Sequence, residues 1–200
     1  MIRSGSGGVM AEYTIFDTAI GRCGIAWGHL GVMGVQLPEA REIETRGRML
    51  RQYPDAREQR PPRNVEIAIE GMVALLRGNP ADLSEVTLDM TGIHVFNQRV
   101  YEITRAIPRG ETRTYGEVAG RLGAPGAAHS VAQAIARNPF MIIVPCHRVL
   151  EAGSYADRIS PNGGSISKRM LLSIEGARSS ISSKTLFDVL LPVAPPRPQG

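Results

Sequence analysis

Cysteine is scarce in these 200 residues. Only Cys23 and Cys146 occur, which makes no disulfide framework and suits a reducing compartment. Long hydrophobic runs are missing as well. No window of eighteen apolar residues occurs, which argues against a membrane span and against a membrane as partner. The first ten residues are rich in Gly and Ser with one arginine and lack the apolar core of a secretory signal, so residues 1–11 are expected to form a disordered leader. What is present is 42% hydrophobic side chains, enough for one domain or for a small domain fused to a larger one. A net charge of +4 and a pI near 9.4 permit a polyanionic partner without requiring one.

Along the chain, apolar runs at Tyr13–Ile20, Cys23–Trp27 and Gly31–Leu37 alternate with glycines, the pattern of a small antiparallel β-meander. Pro38 is expected to open a helix through Arg51. A charged linker follows, ending at Pro61-Pro62. Val65–Arg77 carries Ile67, Ile69, Met72, Val73, Leu75 and Leu76 at helical spacing, and Gly78-Asn79-Pro80 stops it. Val86–Met90 is expected to return as a strand. From Gly92 short helices dominate: Val95–Ala106, Tyr115–Leu122, His129–Ala136 and Lys168–Glu175. Around Gly123-Ala124-Pro125-Gly126, the residues Val118, Leu122, Val131 and Ile135 are spaced to pack together, which fits a helix-turn-helix or an ordinary helical hairpin equally well. The segment from Arg178 to Gly200 is rich in Ser and Pro and reads as a flexible tail.

The strongest chemical signal is Ile142-Ile143-Val144-Pro145-Cys146-His147-Arg148-Val149. It delivers a thiol between a stiff proline and an imidazole, behind an apolar run. Only the thiolate is a good nucleophile, and imidazole or cationic neighbours raise its population.

Around this run stand four further blocks: Phe96-Asn97-Gln98-Arg99-Val100-Tyr101, Ile107-Pro108-Arg109-Gly110-Glu111-Thr112, Thr114-Tyr115-Gly116-Glu117-Val118-Ala119 and Arg137-Asn138-Pro139. In this order and spacing, the stretch from Gly92 to Gly176 resembles the catalytic domain of the O6-alkylguanine-DNA alkyltransferases, the methylated-DNA–protein-cysteine methyltransferases. The resemblance implies an α+β fold. A small N-terminal β-meander/helix domain (12–90) precedes a mainly helical C-terminal domain (91–177) with a winged-helix-like helix-turn-helix, and the tail spans 178–200. It implies a suicide repair reaction on DNA containing alkylated guanine, by a monomer in the cytoplasm, nucleoid-associated if the source is bacterial. The damaged base is rotated out of the stack, because the reactive carbon is otherwise shielded. No cofactor is implied. No metal is expected either, since Cys23, His29 and His94 do not make a convincing zinc ligand set.

Residue by residue, Cys146 matches the alkyl acceptor and His147 the group that takes the thiol proton, in the family through a water. Glu175 matches the carboxylate that orients this histidine, with the logic of a triad. Arg148 matches a structural arginine. Asn138 resembles the asparagine bracing the turn before the cysteine, and Tyr115 the tyrosine beside the damaged nucleotide. Thr114, Ala132 and Gln133 are expected to face the DNA backbone or groove, with Arg137 among the arginines placed to meet phosphates.

Two departures stand out. Where the family carries Ala-Ala-Arg-Ala-Val-Gly, this chain has Ala127-Ala128-His129-Ser130-Val131-Ala132, so His129 replaces the arginine that intrudes where the base leaves. An ordinary histidine is shorter and mostly neutral at pH 7, with a pKa of ~6.5. Where the family has Tyr-Ser-Gly-Gly over the base, this chain has Pro161-Asn162-Gly163-Gly164. Retained thiol chemistry with altered recognition implies a changed substrate preference. The alternatives are a divergent member acting on another DNA adduct or DNA structure, and a non-enzymatic lesion-binding sensor, against which the presence of Cys146 argues. A cysteine hydrolase is disfavoured, because no oxyanion-hole signature is visible.

Overall fold

The computed structural model describes residues 11–152 and 168–176. Three strands, β1 (Glu12–Thr18), β2 (Gly21–Gly28) and β3 (Gly31–Gln36), form the antiparallel meander. Its alternation sends Cys23, Ile25 and Trp27 to one face and Ala26 to the other. On the Ala26 face lies helix α1 (Glu42–Gln52), whose Met49 packs with Tyr13 and Ala56. Helix α1 starts four residues later than Pro38 suggests. Residues 37–41 run irregularly, with the Glu39 amide bound to the Thr45 hydroxyl at 3.0 Å. The charged linker holds a short fourth strand, β4 (Arg57–Glu58), parallel to β1, giving the order β3-β2-β1-β4. Both of its residues are exposed and it pairs through backbone alone, so no side-chain periodicity announces it.

Val86–Met90 is not a strand. It meets β3 in a single bridge, Val32 to Leu88, held by Val32 N to Thr87 O at 2.9 Å and Asp89 N to Val32 O at 2.8 Å. The Asp89 carboxylate then accepts from the Thr91 amide and turns the chain away. Gly31 permits the approach. Its φ is +130°, and a Cβ there would lie 2.5 Å from the Thr87 carbonyl oxygen.

Helix α2 (Arg63–Leu76) begins after Pro62 and ends in a Schellman motif, with Gly78 at φ +84° and Asn79 N bonded to Ala74 O. Helix α3 (Val95–Arg105) follows, then strand β5 (Arg113–Thr114) and helix α4 (Tyr115–Arg121). Thr114 and Glu117 close a capping box at the start of α4, and Gly123 closes a second Schellman motif at its end. These two signals fix the turn into helix α5 (Ala128–Ala136). Val118 and Ala119 of α4 and its cap Leu122 are buried with Val131, Ala134 and Ile135 of α5, and Tyr101 of α3 donates its hydroxyl to the Ala134 carbonyl at 3.1 Å.

A 3-10 turn, Cys146–Arg148, leads into strand β6 (Val149–Leu150), which runs parallel to β5. Helix α6 (Lys168–Glu175) completes the described chain. One buried cluster extends from Cys23 and Ile25 through Met72 and Tyr101 to Val149 and Leu171, so the meander face and the helices share a core behind the cysteine.

Candidate active site around Cys146

Asn138, fully buried just past α5, shapes the approach to the cysteine. Its Nδ2 donates to the Val144 carbonyl at 3.0 Å and its Oδ1 accepts from the Phe140 amide at 2.9 Å. These two bonds clamp a tight loop in which Val144 N reaches Phe140 O at 2.7 Å. Ile142, inside that loop, has φ +72°, a conformation a β-branched residue adopts only under constraint. The Pro139 carbonyl accepts from Val35 N at 2.8 Å, fixing the loop to β3. Pro145 then leads into the 3-10 turn, and pairing of β6 with β5 places the turn beside the start of α4.

Cys146, His147 and Arg148 are all buried. His147 Nε2 lies 2.8 Å from Glu175 Oε1, and Arg148 grips the same carboxylate through Nε at 3.1 Å and Nη2 at 2.7 Å. The remaining Arg148 nitrogen, Nη1, donates to the Ile107 carbonyl at 2.5 Å, and the Gly110 amide adds a long bond of 3.5 Å to Glu175 Oε2. Burial alone would raise the Glu175 pKa, but the bonds from His147 and Arg148 outweigh it and hold the carboxyl at about 2. Burial depresses the His147 pKa, against the pull of Glu175, so the resting ring is neutral. A neutral ring facing an ionised carboxylate carries its proton on Nε2. That leaves Nδ1 as a buried lone pair with no partner among the described residues. It is the one basic position the relay offers.

Burial pushes the Cys146 thiol pKa up, opposed by the Lys168 charge, a hydrogen bond from Asn138 and the amides of Cys146 and His147. At rest the sulfur is a thiol. Lys168, the first residue of α6, is itself buried, with Nζ 2.8 Å from the Val149 carbonyl and 3.4 Å from the Tyr115 hydroxyl. It also sits 5.6 Å from the centroid of the Tyr115 ring, a cation–π distance. Sequence reading gave Lys168 no role. The available signal was a lysine at a helix N-terminus, where the helix dipole disfavours a cation and another interaction must hold it.

The recognition-helix residues occupy the outer side of α5. His129, Gln133 and Arg137 are exposed and Ala132 is half-buried. His129 Nε2 lies 3.0 Å from Gln133 Nε2, one helical turn on, so the ring nitrogen accepts from the amide. Thr114 is engaged as the cap of α4, its hydroxyl accepting from Glu117 N at 3.1 Å. Pro161, Asn162 and Gly163 lie outside the described residues, as do the leader and the tail. Among the described residues no group of three His, Cys, Asp or Glu side chains is placed to hold a metal ion.

Residues 95–177 match the family model for the 6-O-methylguanine DNA methyltransferase DNA-binding domain. A methylated-DNA–protein-cysteine methyltransferase of Mycolicibacterium paratuberculosis is 39% identical over 127 residues, 64% of this chain and 74% of that protein. The chain belongs to this methyltransferase family. A member from Methanothermobacter thermautotrophicus is 33% identical over 153 residues, 76% of this chain and 78% of that one. The crystal structure of the Mycobacterium tuberculosis O6-methylguanine methyltransferase superposes with a TM-score of 0.65 at 34% identity, over 90% of this chain and all of that one. The complex of the M. tuberculosis methyltransferase with DNA gives 0.60 at 33% identity, over 82% of this chain and 92% of that one. The α+β architecture expected from the sequence is thus the architecture of solved methyltransferases of this family.

Proposed function

We propose that this protein repairs DNA by moving the alkyl group of an O6-alkylated guanine onto Sγ of Cys146, once per molecule. The observation that carries the reading is the buried thiol beside a histidine whose Nε2 is fixed on Glu175 and whose Nδ1 has no partner among the described residues. Proton removal is the first requirement, because burial keeps the sulfur protonated. The proton passes through a bridging water to His147 Nδ1. The resulting imidazolium is stabilised by Glu175, which Arg148 keeps ionised. Sγ then attacks the saturated carbon on O6. The S–C bond forms as the C–O6 bond breaks, and the electron pair leaves on the guanine. Lys168 serves both ends of the step, favouring thiolate and orienting the Tyr115 hydroxyl, which donates toward the departing base. A thiol that burial keeps protonated at rest is protected from stray alkylation between lesions.

Every group in this relay comes from one chain, which supports action as a monomer, with cytoplasmic or nucleoid DNA as its place of work. Intact-protein and peptide mass spectrometry after incubation with an O6-methylguanine oligonucleotide tests the reading. One methyl is expected on the Cys146 peptide and none in Cys146→Ser; methylation elsewhere, or none with the wild type, rejects it.

A second reading concerns the form of DNA preferred. His129 contacts Gln133 along α5 and supplies no guanidinium to the gap a flipped base leaves. This favours weaker repair in intact duplex and relatively better repair in single strands, mismatches or distorted sites.

A further inference from the structure

On the side of the cysteine turn formed by the ends of α2 and α3 lies a cavity of about 230 Å³. Its walls are largely apolar, with Leu75, Leu83, Ile107, Ile142 and Pro145 among them, yet three arginines line it: Arg105, Arg109 and Arg148. Arg148 is neutralised by Glu175. The other two are not matched in this way, since neither has a carboxylate within ion-pair distance among the described residues. Arg105 spends Nη2 on the carbonyls of Leu83 and Val86, and Arg109 spends Nη2 on those of Gly78 and Ile174. In both, Nε is buried and has no acceptor among the described residues. Their Nη1 groups likewise meet no acceptor there. A guanidinium carries five donors, and leaving a buried Nε unmade is costly. Asp82, which also lines the cavity, acts on Arg105 through space only, while its Oδ1 accepts from the Ser84 amide at 2.8 Å.

We propose that this cavity binds a small organic oxyanion, a carboxylate or phosphate on a compact apolar body, with its charge between Arg105 and Arg109 and its body against Leu83, Ile107 and Ile142. The fork of a guanidinium fits the paired oxygens of either group. The volume lies below the ~300–1,000 Å³ of drug-sized ligand sites, which limits the occupant to about the size of a substituted benzene. Pro145 and Arg148 form part of the wall, so the ligand sits directly behind the turn that carries Cys146 and His147.

The test is calorimetric titration of the full chain with phenyl phosphate, benzoate and inorganic phosphate at fixed ionic strength. Saturable one-to-one binding is expected, with phenyl phosphate or benzoate tighter than inorganic phosphate because the walls are apolar. Arg105→Gln is expected to weaken binding at least tenfold. Asp82→Asn keeps the acceptor for the Ser84 amide but removes the negative charge, and is expected to tighten binding roughly threefold to tenfold. It serves as the decisive variant if Arg105→Gln fails to fold. Arg51→Ala, an exposed arginine on α1 away from the cavity, is expected to leave binding unchanged. No saturable binding, indifference to Asp82→Asn, or loss with Arg51→Ala would each overturn the proposal.

Discussion

Replacing Glu175 by Gln tests the relay at its most constrained point. The side chain is 6% exposed and accepts from His147 and Arg148, whose own side chains are 3% and 9% exposed. Breaking a buried pair by removing one partner costs about 3–5 kcal/mol, because the other charge stays buried and unmatched. Independently, a carboxyl held at about 2 against an ordinary 4.5 contributes roughly 3 kcal/mol through linkage. The sign follows from the depressed pKa: this stability is fully present above pH ~4.5 and is lost as pH falls through about 2. Urea unfolding of wild type and Glu175→Gln from pH 7 down to pH 2.5 is the assay. About 3 kcal/mol of destabilisation is expected at pH 7, shrinking steadily below pH 4.5. The amide also accepts less strongly from Nε2–H and can donate instead, which favours the wrong histidine tautomer. Single-turnover methyl transfer at pH 7 is therefore expected to slow by roughly 10²–10⁴-fold in folded variant. A destabilisation under 1 kcal/mol, or one that stays constant with pH, would refute the reasoning, as would an unchanged transfer rate.

Asn138→Ala strips partners from the buried Phe140 amide and Val144 carbonyl, and is expected to cost about 2–4 kcal/mol by denaturant unfolding and to slow transfer as the turn before Cys146 loosens. Lys168→Met removes the cation that opposes the raised thiol pKa, so the ascending limb of the transfer pH–rate profile, which follows thiol ionisation, is expected to move to higher pH. An unmoved limb would mean that Lys168 acts on packing alone. His129→Arg is expected to raise the ratio of duplex to single-strand transfer roughly tenfold, the worth of one charge-assisted hydrogen bond to the vacated stack, and an unchanged ratio would remove His129 as the cause of any strand preference.

Much of this molecule is written locally. The meander follows from apolar residues alternating between glycines, and its two faces follow from period two. Helices α2 to α5 follow from apolar spacing closed by Pro62, the Thr114–Glu117 box and the glycines at 78 and 123. Cys146 and its histidine are contiguous, so the motif that carries them is legible in a single run of sequence. Tertiary structure decided the rest. Strand β4 and the bridge at Leu88 exist through backbone bonds to distant strands and leave no side-chain period. Glu175 lies 28 residues from His147, and nothing in its own neighbourhood separates a helix-end charge from a buried relay member; only the packing of α6 against the cysteine turn does. The same packing turns Lys168 from an ordinary helix-start lysine into a buried cation between the thiol and Tyr115. Local periodicity records which face of an element is apolar. It does not record which charges that face will bring together once water is excluded, and for this protein those charges set the chemistry.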